Sequence, residues 1–148
     1  MSNTKGSYLV LTAMIFAVSM TFIDQTIVSI SAPEIQKELD LSSTGVQWIV
    51  SGYLLSMAAL FAFGGKLADV AGRRKILIIG ILVFAVASTL CGATPKGEIA
   101  ETWIIFFRVV QGAGAAMMFP AALAITISSF PIETRGRAMA LFLESPEP

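Results

Sequence analysis

Asp24 and Arg108 each sit inside a run of apolar residues, in "SMTFIDQTIVSI" and "WIIFFRVVQGAGAAMMF". A charge at mid-bilayer costs about 2.5–3.5 kcal/mol even on insertion scales, so such residues face a protein interior or a watery cavity. The carboxyl can take up and release a proton, and a nearby cation and water access set when it does so. The neighbours continue a polar stripe. Thr21 and Ser31 lie at helical spacing from Asp24, Gln111 is one turn from Arg108, and Ala115 extends that face without bulk. Two readings fit this spacing: a protonatable carboxylate that works beside a fixed cation, or a buried ion pair that only fixes packing. A second cluster stands apart. "GGKLADVAGRRKILIIG", residues 64–80, crowds Lys66, Asp69, Arg73, Arg74 and Lys75 between two apolar runs.

The elements that must position these residues follow from composition. The chain has 148 residues, 55% hydrophobic and 14% charged, where a soluble domain carries roughly a quarter charged residues. Mean hydropathy is +0.79. Apolar stretches cover about 8–32, 46–65, 76–93 and 103–129, each near the roughly 20 residues that cross a bilayer core. They lack the period-two alternation of barrel strands. The sequence therefore predicts an all-α membrane protein with four transmembrane helices. With the N-terminus inside, inner segments hold Lys5, Lys66, Arg73, Arg74, Lys75, Arg135 and Arg137, and outer segments hold only Lys37 and Lys96. That bias predicts an N-in, C-in topology, with Trp48 and Trp103 at outer helix ends and Tyr8 at an inner one. Asp24 then lies about 12 Å and Arg108 about 8 Å below the outer surface, at overlapping heights. The first run is longer than a cleavable leader and carries Asp24 where cleavage would fall, which disfavours a signal peptide.

Connections are expected at 33–45 and 94–102 outside and at 66–75 inside. Pro33, Pro95 and Pro131 fall at or beyond helix ends, where a missing N–H does least harm. Pro120 lies inside helix four, frees the carbonyl of Ala116 and should bend the helix. Small residues mark close contacts: Gly112, Gly114 and Ala116 on helix four, Gly52 and Ser56 on helix two. Gly65 and Gly72 bracket Asp69 and permit a tight reversal. Arg73, Arg74 and Lys75 open helix three, where the helix dipole disfavours cations. Topology would place them there, and so would a partner carboxylate; Asp69, four residues earlier, is the only acid in that loop. Residues 130–148 read as cytoplasmic or as an aborted fifth helix, because "ESPEP" follows "RGRAMALFL" and too few apolar residues remain to cross again. The chain is thus expected to be part of something larger.

Other chemistries find little support. With no His and a single Cys, a zinc site or a Cys–His nucleophile lacks its residues. Cys91 reads as a small buried hydrophobe. "GAGAA" is too weak a pattern for a dinucleotide, because no strand precedes it. No enzyme, cofactor, metal or nucleic-acid partner is expected; the bilayer is the expected partner.

Three motifs carry a resemblance. "GKLADVAGRRKIL" resembles the loop signature between helices two and three of the major facilitator superfamily, G-x-L-A-D-(R/K)-x-G-R-(R/K). Gly65, Leu67, Ala68, Asp69, Gly72, Arg73 and Arg74 match, and Val70 stands where a basic residue is usual. "RVVQGAGAAMMFPAAL" resembles the helix-four signature R-x-x-Q-G-x-G-A-A, through Arg108, Gln111, Gly112, Gly114, Ala115 and Ala116. "IDQTIVSISAPEI" is similar to the helix-one signature D-x-T-I-V-N-V-A-L-P of the fourteen-helix drug:proton antiporter branch, through Asp24, Thr26, Ile27, Val28 and Pro33. The resemblance implies a secondary transporter that exports small lipophilic compounds by alternating access, driven by the proton gradient of the plasma membrane. It implies that Asp24, Arg108, Gln111 and Thr26 line the cavity and serve proton coupling. It also implies that Asp69 and Arg73 latch the cytoplasmic face against the other half of the transporter. Residues 1–148 would form an incomplete N-terminal transporter domain, a partial bundle not expected to transport alone. The alternatives are a membrane interaction protein without transport activity and a homo-oligomeric small exporter.

Overall fold

A computed structural model describes residues 4–129 together with 136 and 140. Four helices run antiparallel in chain order: α1 (Thr4–Leu39), α2 (Ser43–Ala71), α3 (Arg73–Gly92) and α4 (Ala100–Ser129). All four are long and apolar enough to cross a membrane, and no strand occurs among the described residues. Their connections define two ends, one carrying Gly72 and the other carrying Pro95. Pro131, Arg135, Arg137 and, apart from residues 136 and 140, the cytoplasmic segment or aborted fifth helix expected at 130–148 lie outside the described residues.

Six of the expected helix ends move outward. α1 does not stop at Pro33 but continues through it to Leu39. The segment after the proline, "EIQKEL", is made mostly of good helix formers. Its Ile35 and Leu39 pack on the apolar cluster of Leu41, Ile49, Ala100 and Ile104, while Glu34, Lys37 and Glu38 stay exposed. Burial of one face outweighs the hydrogen bond that Pro33 cannot donate. The connection shrinks to Asp40, Leu41 and Ser42, with Asp40 at φ 51°, a left-handed position that Asp tolerates. Ser42 caps α2 by accepting from the Gly45 N–H at 2.9 Å. The Glu101 carboxylate accepts from the Ser42 N–H at 2.9 Å and from its hydroxyl at 3.1 Å, which pins this turn to the start of α4.

At the other end, residues 66–71 are helical rather than a loop, and α3 begins at Arg73 rather than near 76. Ala68 is buried and Leu67 half-buried against Ile76, Leu77 and Met118, so the last turn of α2 belongs to the core. The chain reverses over Gly72 alone, at φ 100° and ψ 123°, a backbone conformation that L side chains rarely adopt. Gly65 lies inside α2 against Pro120 and takes no part in the reversal.

α4 is the central post and packs against the other three helices, most extensively α2 and α3. Close approach explains its small residues. A Cβ on Gly112 would overlap the Tyr53 carbonyl of α2, and one on Gly114 would come within 2.8 Å of the Phe84 nitrogen of α3. The Ala116 carbonyl, left without its helical donor by Pro120, lies directly against Gly64. Along α4 the buried residues form layers. Ala100 and Ile104 are apolar, Arg108 and Gln111 are polar, and Met118, Ala121 and Ala122 are apolar again. The outer faces carry large apolar side chains such as Phe16, Ile30, Leu55 and Phe106, which lipid solvates and water does not.

Candidate functional site

The polar layer is built by three helices meeting at one height. Arg108 reaches from α4 toward α1, where its Nη1 donates to Asp24 Oδ2 at 2.5 Å. The same nitrogen donates to Gln111 Oε1 at 2.9 Å, and Gln111 Nε2 donates to Asp24 Oδ1 at 2.8 Å. Carboxylate, guanidinium and amide thus close a ring in which both carboxylate oxygens are occupied. Arg108 Nε donates to the Ile49 carbonyl of α2 at 3.0 Å, and its guanidinium carbon lies 4.5 Å from the centre of the Tyr53 ring. A cation over an aromatic face contributes roughly 2 kcal/mol or more when desolvated. Nη2 donates to Gln25 Oε1 at 3.5 Å, while the buried Gln25 Nε2 finds no partner among the described residues.

Local sequence accounts for this placement. Gly112 lets α2 and α4 touch backbone to backbone beside Tyr53, which brings the Ile49 carbonyl within reach of Arg108. Arg108 is 1% exposed and Asp24 16% exposed. The cation is sealed, and the carboxylate keeps a window. An isolated buried charge would cost several kcal/mol; here each charge is paired and hydrogen-bonded, the condition under which such burial is tolerated. Besides Asp24, the guanidinium is held by neutral acceptors, the Ile49 carbonyl and the Gln111 and Gln25 amides.

Thr26 is not part of this network. It is exposed, one residue beyond Gln25, and its hydroxyl donates to the Phe22 carbonyl at 3.0 Å within α1. Thr21 is buried and Ser31 half-buried. Gln25 and Tyr53 are participants that spacing did not single out. For Gln25 a signal existed: an amide in an apolar run, adjacent to the buried acid. For Tyr53 none did, because its ring meets Arg108 through the packing of two helices.

The second cluster lies at the Gly72 end, remote from the first. Arg73 Nη2 is 3.4 Å from Asp69 Oδ1, with the side chains 45% and 67% exposed. Arg73 Nη1 donates to the Ala124 carbonyl of α4 at 3.4 Å. Lys66, Arg74 and Lys75 are exposed around them. No group of His, Cys, Asp or Glu among the described residues has the arrangement of a metal site.

The family model described as Major Facilitator Superfamily matches residues 14–143. The chain belongs to that superfamily. Among its relatives, the methylenomycin A resistance protein of Bacillus subtilis is 37% identical over 137 residues, covering 93% of this chain and 28% of the relative. The puromycin resistance protein of Streptomyces alboniger is 37% identical over 134 residues, covering 89% and 26%. The tetracenomycin C resistance and export protein of Streptomyces glaucescens is 41% identical over 121 residues, covering 82% and 22%. The chain therefore spans about a quarter of the length of these relatives. Its four apolar helices and its place in the major facilitator superfamily make it an integral membrane protein, with the all-helical architecture of a partial bundle of that fold.

Proposed function

We propose that the protein containing this chain is a proton-coupled exporter of small lipophilic compounds that works by alternating access, with Asp24 as the proton carrier. Its energy source is the proton gradient, without a cofactor or metal. The relatives named for resistance to methylenomycin A, puromycin and tetracenomycin C support the export role. The observation that carries the proton role is the shared network of Asp24, Arg108 and Gln111.

The coupling step follows from which helices the network joins. The bonds from Arg108 to Asp24 and Gln25, and from Gln111 to Asp24, all tie α1 to α4. When Asp24 takes a proton, the charge that draws Arg108 toward α1 disappears. Arg108 stays charged, held by the Ile49 carbonyl, Gln111 and the Tyr53 ring on α2 and α4. α1 is then free to shift against α4, and loss of the proton draws it back. In the inverted three-helix repeats of this superfamily the first and fourth helices are counterparts, so such a shift would tilt one repeat against the other. The N-terminus and the Gly72 end face the cytoplasm in this reading, the membrane is the plasma membrane, and residues 1–148 alone do not transport.

The test is ΔpH-driven drug efflux in inverted membrane vesicles. Asp24→Asn is expected to lower proton-driven efflux at least tenfold while drug binding persists. Undiminished proton-driven efflux in that variant would overturn the reading.

A further inference from the structure

Between α1, α3 and α4 lies a cavity of about 360 Å³ that reaches from the buried network to the Pro95 end. Asp24, Arg108 and Gln111 form its floor, and Cys91 lies on its α3 wall. Glu38 and Lys96 border it where it meets the surface. These two are 3.4 Å apart and mostly exposed, and they join the end of α1 to the connection between α3 and α4. This wall exists because α1 continues past Pro33 to Leu39.

Dimensions decide what the cavity can hold. Asp24 and Glu38 are separated by roughly 21 Å of helical rise. A volume of about 360 Å³ has room for roughly ten waters, and charged or polar groups at both ends can hydrogen-bond them. The ionisable groups around Asp24 are Arg108 from α4, Tyr53 from α2 and Cys91 from α3, with Glu38 and Lys96 at the far end.

We propose that this cavity is a water-filled vestibule that opens Asp24 to solvent at the Pro95 end, with the Glu38–Lys96 pair as its closable mouth. What the water carries rests on the proton-coupling reading above; its presence does not. The vestibule supplies the route by which the carboxyl exchanges protons with one side of the membrane. The mouth sets how freely it does so.

Cys91, the single cysteine of the sequence, is the reporter. Membranes containing the protein are treated with a small, permanently charged methanethiosulfonate, and the Cys91 signal is the labelling lost in Cys91→Ser. A Glu98→Cys reference on the exposed connection marks the face that carries the Pro95 end. Cys91 is expected to react from that face only. Glu38→Gln is expected to raise the rate several-fold, and Glu38→Lys combined with Lys96→Glu to restore it. Reaction with lipid-soluble N-ethylmaleimide alone, reaction from the opposite face, or silence toward both reagents overturns the vestibule. A rate unchanged by Glu38→Gln overturns the mouth. If proton-driven efflux survives Asp24→Asn while Cys91 reacts as expected, the proton reading falls and the vestibule stands.

Discussion

Asp24–Arg108 and Asp69–Arg73 are the same two residue types in two surroundings. The first pair is separated by 84 positions, joins α1 to α4 at 2.5 Å and is almost sealed from solvent. The second is separated by four positions, spans one helix end and the next helix start at 3.4 Å, and is largely exposed. Solvent screens the second, and pairs of that kind contribute about 0–1 kcal/mol. In the first, the guanidinium is sealed and the carboxylate has only partial access to solvent, so loss of one partner leaves the other poorly compensated. The difference teaches where a proton can do mechanical work. Neutralising an exposed carboxylate leaves its partner in water. Neutralising the buried one changes what holds two helices together. Exposure also leaves Asp69 open to a carboxylate-seeking partner elsewhere, which suits the cytoplasmic latch expected of it.

The strongest way to break this comparison is to remove one member of each pair. Arg108→Ala is expected to destabilise the protein by about 3–5 kcal/mol, because Asp24 stays buried without its cation. Unfolding in mixed detergent micelles measures this; a loss no greater than that of Arg73→Ala would show that burial does not separate the pairs. Replacing both partners sharpens the point. Asp24→Leu with Arg108→Met removes both charges from the interior and is expected to be neutral or stabilising by about 1–4 kcal/mol, yet to abolish proton-driven efflux. If that double variant still exports, the pair is a packing device and nothing more. A smaller effect, about 1–3 kcal/mol, is expected for Gly112→Ala. The added methyl would overlap the Tyr53 carbonyl and push α2 off α4. It should also lengthen the bond from Arg108 to the Ile49 carbonyl, so proton-driven efflux should fall with stability. The same unfolding series and efflux assay report both.

Much of this was legible in the residues. A carboxylate and a guanidinium in apolar runs, at overlapping depths, pointed to a common height, and the structure places them in contact. The four spans followed from hydropathy, because lipid imposes its length on any crossing helix. What sequence could not supply were features that depend on a second helix. Pro33 looked like a stop, but Ile35 and Leu39 have an apolar cluster to pack on, and that cluster is assembled by α2 and α4. Residues 66–71 looked like a loop because of their charges, yet Leu67 and Ala68 bind them into the core as helix. Thr26 matched a motif, while Gln25 beside it faces Arg108. One residue along a helix is a turn of about 100°, so adjacency in sequence says little about which face a side chain occupies.

The smallest expected effect concerns the exposed pair, and its sign depends on which partner is removed. Arg73 opens α3, where the helix dipole disfavours a cation by about 0.3–1 kcal/mol. Arg73→Ala relieves that cost while it loses the contact to Asp69, so the two terms should nearly cancel. Asp69→Asn is different. It leaves Arg73, Arg74 and Lys75 crowded at the first turn of α3 with no carboxylate to offset them. Asp69→Asn should therefore destabilise slightly more than Arg73→Ala at low salt, within about 1 kcal/mol. The gap should close in 1 M salt, where the screening length falls to about 3 Å. The buried pair, with Arg108 sealed from solvent, should show a weaker salt dependence. If Asp69→Asn instead removes efflux without moving stability at any salt, its carboxylate acts on a surface beyond these four helices, and the weak contact to Arg73 is only where it rests in their absence.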